Sequence, residues 1–201
     1  RYLTPSKLQS LLSGELYLRQ LAALQDEFEG RMPRSAAEVF LKAAQGFARI
    51  LAGDEPQSPE LRDEWAAWKK GIENSPYDAE ALTRNTTYVN CWQVGETDSI
   101  AMWEAYAQDG VAVHTTVDQL IATLRPARRF LTIGRVAYRD LERMTWDLRT
   151  IHVLTKALCY EDENELRVLT SVDSPVGESL VVTIDLNALT TRFTLSPFAT
   201  R

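Results

Sequence analysis

Histidine and cysteine each occur only twice in 201 residues. His114 and His152 are too few for a histidine-rich metal site, so no metal is expected. Neither histidine has a spacing that would make it the base for a cysteine nucleophile. Both read as packed structural residues, with His152 inside a helix. Cys91 and Cys159 form no C-x-x-C pair and no zinc spacing. Each sits among apolar neighbours, so two buried free thiols in a reducing cytoplasm are the simplest reading. No run of about 18 apolar residues and no signal-peptide pattern is present, so no membrane partner is expected. The dinucleotide fingerprint, the P-loop, the G-x-S-x-G elbow and the aromatic-plus-glycine RNA-binding signature are also missing. There is no internal repeat. The chain opens at Arg1 without a methionine and stops at Thr200-Arg201, just after a new helix start at Ser196-Pro197, as a trimmed chain would.

What is present is ordinary globular material, 45% hydrophobic and 25% charged. The length suits a single domain over 1–201, with room for an insertion. A net charge of −6, from 22 basic and 28 acidic side chains, disfavours general attraction to nucleic acid or anionic membrane. Arginine is concentrated locally at Arg125, Arg128, Arg129, Arg135, Arg139, Arg143 and Arg149. That excess suits a phosphate-bearing partner, or pairing with the acid-rich 54–80 region.

The patterning mixes short strands with helices. Thr4-Pro5-Ser6 enters a Leu-rich helix that Gly14 closes. Glu15 to Arg19 alternates as a strand. Residues 35–84 are helical throughout, with restarts at Ser58-Pro59 and Ser75-Pro76, and read as an inserted helical block or lid. Strands follow at Thr86–Gln93, Val111–Thr115 and Phe130–Tyr138. Leu141 to Leu158 reads as a long helix. Further strands lie at 163–170, Leu180–Ile184 and Arg192–Leu195. Without regular βαβ alternation, the class is α+β with a largely antiparallel sheet.

The segment Glu163–Leu169 stands out. As an extended strand it places Glu163, Glu165, Arg167 and Leu169 on one face and Leu166 and Val168 on the other. The two carboxylates would then lie roughly 7 Å apart. Leu169 among the charges suggests a strand covered on both sides, where acids must be paired, solvated or used. The plain alternatives are an edge strand facing water and an internal ion pair of Arg167 with the acids.

A set of short motifs accompanies this strand: Arg1-Tyr2-Leu3, Gly14-Glu15-Leu16-Tyr17, Asp26-Glu27-Phe28-Glu29, Cys91-Trp92, Met102-Trp103-x-x-Tyr106 and Glu163-x-Glu165-x-Arg167. In this order the chain resembles a widespread bacterial family marked by R-Y, D-P-F-E, C-[FW], M-W-x-x-Y and E-x-E-x-R. It departs at Glu27, where that family more often has proline. More remotely it resembles ADP-ribosyltransferases. That likeness implies a split, largely antiparallel sheet, NAD as a substrate and a role as a conflict or defence effector. The acceptor would be a nucleic acid or a protein. By the same likeness Glu165 and Glu163 would be the catalytic acids. Arg1, Tyr17, Trp103, Tyr106 and Arg167 would contact the nucleotide.

Two other classes stay open on the residues alone. One is a metal-dependent nucleic-acid-processing domain, with Glu163, Glu165 and Asp26 or Glu29 holding the ion beside the arginine-rich stretch. The other is a non-catalytic ligand-sensing or interaction domain, in which Trp92, Trp103 and Tyr106 are core and the acids are closed by ion pairs.

Overall fold

The computed structural model describes residues 1–26, 28–32, 34–52, 59–127, 129–143, 152–189 and 192–199. Two antiparallel sheets carry the α+β architecture. One joins β1 (Tyr2–Leu3), β4 (Val111–His114) and β10 (Arg192–Leu195), in that order. The other has the order β5 (Thr132–Arg135), β8 (Glu165–Ser171), β3 (Thr87–Gln93), β2 (Glu15–Gln20), β9 (Ser179–Thr183). A short parallel pair, β6 (Ala137–Arg139) with β7 (Thr155–Ala157), stands apart from both. The helices are α1 (Pro5–Leu12), α2 (Arg34–Ala52), α3 (Pro59–Thr86), α4 (Ile100–Tyr106), α5 (Val117–Thr123) and α6 (Leu186–Leu189).

Alternation explains how the larger sheet is oriented. On β2, Leu16 and Leu18 are buried while Glu15, Tyr17 and Arg19 face outward. Those leucines join Leu3, Leu11, Tyr88, Trp92, Val113, Leu120, Val168 and Leu189 in the main core, which draws on both sheets and on α1, α5 and α6. The opposite face of the larger sheet is covered too. Val89 packs there with Leu21 and Val153, from two 3-10 turns, and with the partly buried Cys91 and Leu169. Burial of β8 on both faces agrees with the reading of Leu169.

The structure departs from the sequence reading in several places. The 130–138 segment is not one strand: β5 and β6 belong to different sheets, and Val136 turns the chain between them with its amide on the Glu165 carbonyl at 2.9 Å. No helix covers the described part of 152–158. His152–Leu154 is a 3-10 turn and β7 follows, while 144–151 lie outside the described residues. Thr155–Ala157 pairs in parallel with Ala137–Arg139, and those inter-strand hydrogen bonds take the place of helical ones. Helix α3 does not restart at Ser75-Pro76 but runs through it. The helix extends for many residues on the N-terminal side and to Thr86 on the other, so propagation outweighs the one hydrogen bond that proline removes. Cys159 is exposed rather than buried, because its segment is a surface 3-10 turn.

Candidate functional site

Glu163 is not on β8. It ends a 3-10 turn, Leu158–Glu163, and Asn164 then takes a left-handed conformation at φ 42°. Asparagine tolerates that conformation, and its side chain secures it. Its Nδ2 donates to the Val94 carbonyl and its Oδ1 accepts from Arg135 at 2.6 Å. The corner shifts Glu163 out of register with Glu165, yet both reach the same cleft.

Beneath that cleft lies Arg167, completely excluded from solvent. A buried guanidinium is costly unless its donors are matched, and here they are. Nε donates to Glu165 at 2.8 Å, Nη1 to the Val153 carbonyl at 2.8 Å, and Nη2 to Glu165 and to both Glu29 oxygens at 2.9 Å. Lys156 on β7 forms the second cationic node. Its Nζ lies 2.9 Å from Glu29, 2.6 Å from Glu163 and 3.9 Å from Glu165. It also sits 4.4 Å from the Tyr160 ring centroid. Three carboxylates thus meet two cations, and the floor of the cleft keeps one net negative charge.

Electrostatics tie the floor together. Burial works against the Arg167 charge, but its hydrogen bonds to Glu165 and the nearby carboxylates raise its pKa further above the usual value. For Lys156, burial is likewise outweighed by Glu29 and Glu163, and its pKa is raised. Burial pushes Glu165 upward, yet the hydrogen bonds and charge of Arg167, with help from Cys91 and Lys156, hold it below the ordinary carboxylate value. Cys91 is paired with Arg167 across β3 and β8, and burial and the Glu165 carboxylate push its thiol up. The Tyr106 hydroxyl donates to Glu163 at 3.1 Å and is pushed up to about 12 by burial and that carboxylate.

The cleft encloses about 950 Å³, room for a mononucleotide or dinucleotide. Of the residues expected from the sequence, Arg1, Tyr17, Tyr106, Glu163 and Glu165 all line it. Arg1 sits over the Trp92 ring, 5.6 Å from its centroid, and burial lowers its pKa to about 10. Two polar atoms in cleft-lining residues, Trp92 Nε1 and Asn90 Oδ1, are buried without a hydrogen-bond partner.

Two expected contacts are not part of the lining. Trp103 is packed edge-on against Tyr2, with centroids 4.8 Å apart, in a satellite core with Ala107 and Ala112. Trp103 faces inward on α4, while Tyr106, three residues on at the last position of the helix, is half-exposed and reaches the cleft. Arg167 lies under the floor and offers no surface to a ligand. Two floor residues were not among the sites expected from the resemblance. Glu29 stands out only as a carboxylate beside a lone aromatic. Lys156 is concealed by the helical reading of its segment, although a lysine between Val153-Leu154 and Ala157-Leu158 is a mild signal of a paired interior charge.

The carboxylates do not surround a common point as metal ligands would, because Lys156 and Arg167 already lie between them. Among the described residues no group of histidine, cysteine or acidic side chains is arranged to hold a metal ion. Arg125 and Arg129 line a separate shallow groove, not this cleft. No helix among the described residues is long and apolar enough to cross a membrane. No protein-family model, curated protein or solved structure matches the chain.

Proposed function

We propose that the chain is an NAD-consuming enzyme of the ADP-ribosyltransferase or NAD glycohydrolase kind, working in this cleft. The observation that supports the reading most is the convergence of Arg1, Tyr106 and the Glu163–Glu165 pair on one cavity from three distant parts of the sequence. In the reaction the bond between ribose C1′ and the nicotinamide nitrogen breaks. Its electron pair leaves with the nicotinamide, which becomes neutral, and positive charge builds on the ribose. A floor with one surplus negative charge stabilises that charge more than it stabilises the ground state. Water or an acceptor hydroxyl then adds to C1′ and gives up its proton.

The two acids have different duties in this scheme. Glu165 is fixed through both oxygens by Arg167, so it acts as a rigid ionised partner for the ribose. Glu163 retains more exposure and is held by the movable hydroxyl of Tyr106 and by Lys156, so it receives the proton from the incoming nucleophile. The aromatic faces of Tyr17 and Tyr106 are available for stacking on the planar rings.

The test is nicotinamide release from labelled NAD, alone and with DNA, RNA or protein acceptors, for the parent chain beside Glu165→Gln and Glu163→Gln. Release that both substitutions abolish supports the reading, and no release or transfer in any mixture removes it. A specific observation favours a second reading, a non-catalytic nucleotide sensor. Every oxygen of Glu163 and Glu165 already has a cationic or hydroxyl partner. Saturable NAD binding without turnover would select it.

A further inference from the structure

The outer wall of the cleft carries cations that the carboxylates of its floor do not neutralise. Arg1 precedes β1, Lys7 lies on α1 and Arg19 on β2, and all three line the cleft with Ser6 and Ser10. The side chains of Arg1 and Lys7 have no ion pair or hydrogen bond among the described residues; the Arg1 backbone is fixed on Val113 and its guanidinium lies over Trp92. Arg19 is tethered loosely. Its Nη2 lies 3.1 Å from Glu178, both side chains at least half exposed, and its Nε is 3.3 Å from the Ala23 carbonyl. An exposed pair of that kind holds weakly. The three charges also feel one another: desolvation first, then Arg1 and Arg19, lower the pKa of Lys7. Convergence of like charges is unfavourable until an anion enters between them.

The polarity of the cleft is therefore ordered, negative at the floor and, with Asp26 the one lining acid outside the floor among the described residues, net positive elsewhere. A nucleoside, or a sugar with one phosphate, would leave part of the wall unmatched. A diphosphate places one charge on each phosphorus and several acceptor oxygens within reach of a fork-shaped guanidinium, an ammonium and two serine hydroxyls. We propose that Arg1, Lys7 and Arg19 form a diphosphate-binding subsite, and that the ligand is a nucleoside-diphosphate conjugate whose sugar lies toward Glu163 and Glu165. The orientation of the sugar rests on the glycosyl-transfer reading above, whereas the subsite stands on the wall alone.

Calorimetric titration of the full chain with inorganic pyrophosphate and with orthophosphate tests the subsite directly. Pyrophosphate is expected to bind about tenfold or more tightly than orthophosphate, and more weakly as salt rises. The double substitution Lys7→Ala with Arg19→Ala should weaken pyrophosphate by about tenfold or more, given typical strengths of charge-assisted hydrogen bonds. Both residues are exposed and neither pairs with a carboxylate of the floor, so the variant should keep the parent melting temperature. Lys7→Arg should restore most of the loss in that position. Equal affinity for the two anions, or unchanged pyrophosphate affinity in the double variant, overturns the proposal. Pyrophosphate binding without NAD turnover leaves the subsite standing and removes the glycosyl-transfer reading. NAD turnover whose KM ignores the double substitution does the reverse.

Discussion

Glu29 and Arg167 lie 138 positions apart, yet one guanidinium nitrogen of Arg167 reaches both Glu29 carboxylate oxygens at 2.9 Å. Both residues are almost wholly buried, and Lys156 depends on the same carboxylate. Glu29→Ala removes one counter-charge from two buried cations at once. Breaking a buried pair from one side typically costs about 3–5 kcal/mol, and the variant should show a loss of that order in urea unfolding. Glu29→Gln keeps the acceptor oxygen and should lose less. A loss below about 1 kcal/mol for the alanine variant would mean that the floor relaxes around the gap and that Arg167 and Lys156 find other partners or water.

Acid should weaken the fold through Glu165. Its native pKa lies below the ordinary carboxylate value because Arg167, Cys91 and Lys156 outweigh the upward effect of burial. The stability it contributes is therefore present above the unfolded carboxylate pKa of about 4.3 and is lost as pH falls through the lower native value. Glu165→Gln cannot titrate. The stability gap between parent and variant should be wide at neutral pH and narrow in acid, as followed by urea midpoints at several pH values. A gap independent of pH would mean that the Glu165 charge is not what stabilises the floor.

The elements with clean periodicity were legible in the sequence. Leu16 and Leu18 on β2, the Tyr88 and Trp92 face of β3, and the capped helix after Thr116 all lie where alternation and capping chemistry put them. The capping box of Thr116 with Gln119 is complete. The site was legible in part. Glu165 and Arg167 share a face because strand side chains alternate, but Glu163 reaches the cleft through the left-handed Asn164, which no periodic pattern signals. Lys156 and Glu29 converge by long-range pairing, and sequence spacing carries no information about which distant acid meets which distant base.

Trp103 and Tyr106 sit three residues apart on α4 and should separate cleanly by mutation. Trp103 is 1% exposed. Trp103→Ala should therefore lose about 3–5 kcal/mol of stability, as large aromatic truncations do. Tyr106→Phe removes only the hydroxyl that holds Glu163. It should leave the melting temperature nearly unchanged while altering NAD turnover or affinity. Thermal unfolding and nicotinamide release, measured on both variants, decide this. A Tyr106→Phe variant with parent turnover and parent NAD affinity would detach Tyr106 from the site.

The two cysteines should differ sharply toward alkylating reagents. Cys159 is exposed. The thiol of Cys91 is pushed up by burial and by Glu165, so its reactive thiolate is scarce at neutral pH. Iodoacetamide followed by peptide mass spectrometry should find Cys159 labelled and Cys91 protected in the native chain, with both labelled in denaturant. Fast native labelling of Cys91 would show that the floor opens readily.

Gly30 controls how Glu29 is presented. Its backbone is left-handed at φ 68°, and a Cβ there would collide with the buried side chain of Leu21. Two costs follow for Gly30→Ala: about 1–2 kcal/mol for the left-handed backbone and about 1–3 kcal/mol for overpacking. The adjoining turn is closed by the Glu29 amide on the Asp26 carbonyl at 3.0 Å and the Phe28 amide on the Asp26 side chain at 2.9 Å. Any shift of Gly30 is therefore passed to Glu29 and, through it, to Arg167 and Lys156. Gly71, within α3, supplies the control, since a Cβ there meets nothing within 4 Å. Gly71→Ala should stabilise by about 0.5–1 kcal/mol through helix propensity alone. Opposite signs for the two substitutions in urea unfolding are the expected result. A neutral Gly30→Ala would show that the turn can move without disturbing the buried carboxylate it carries.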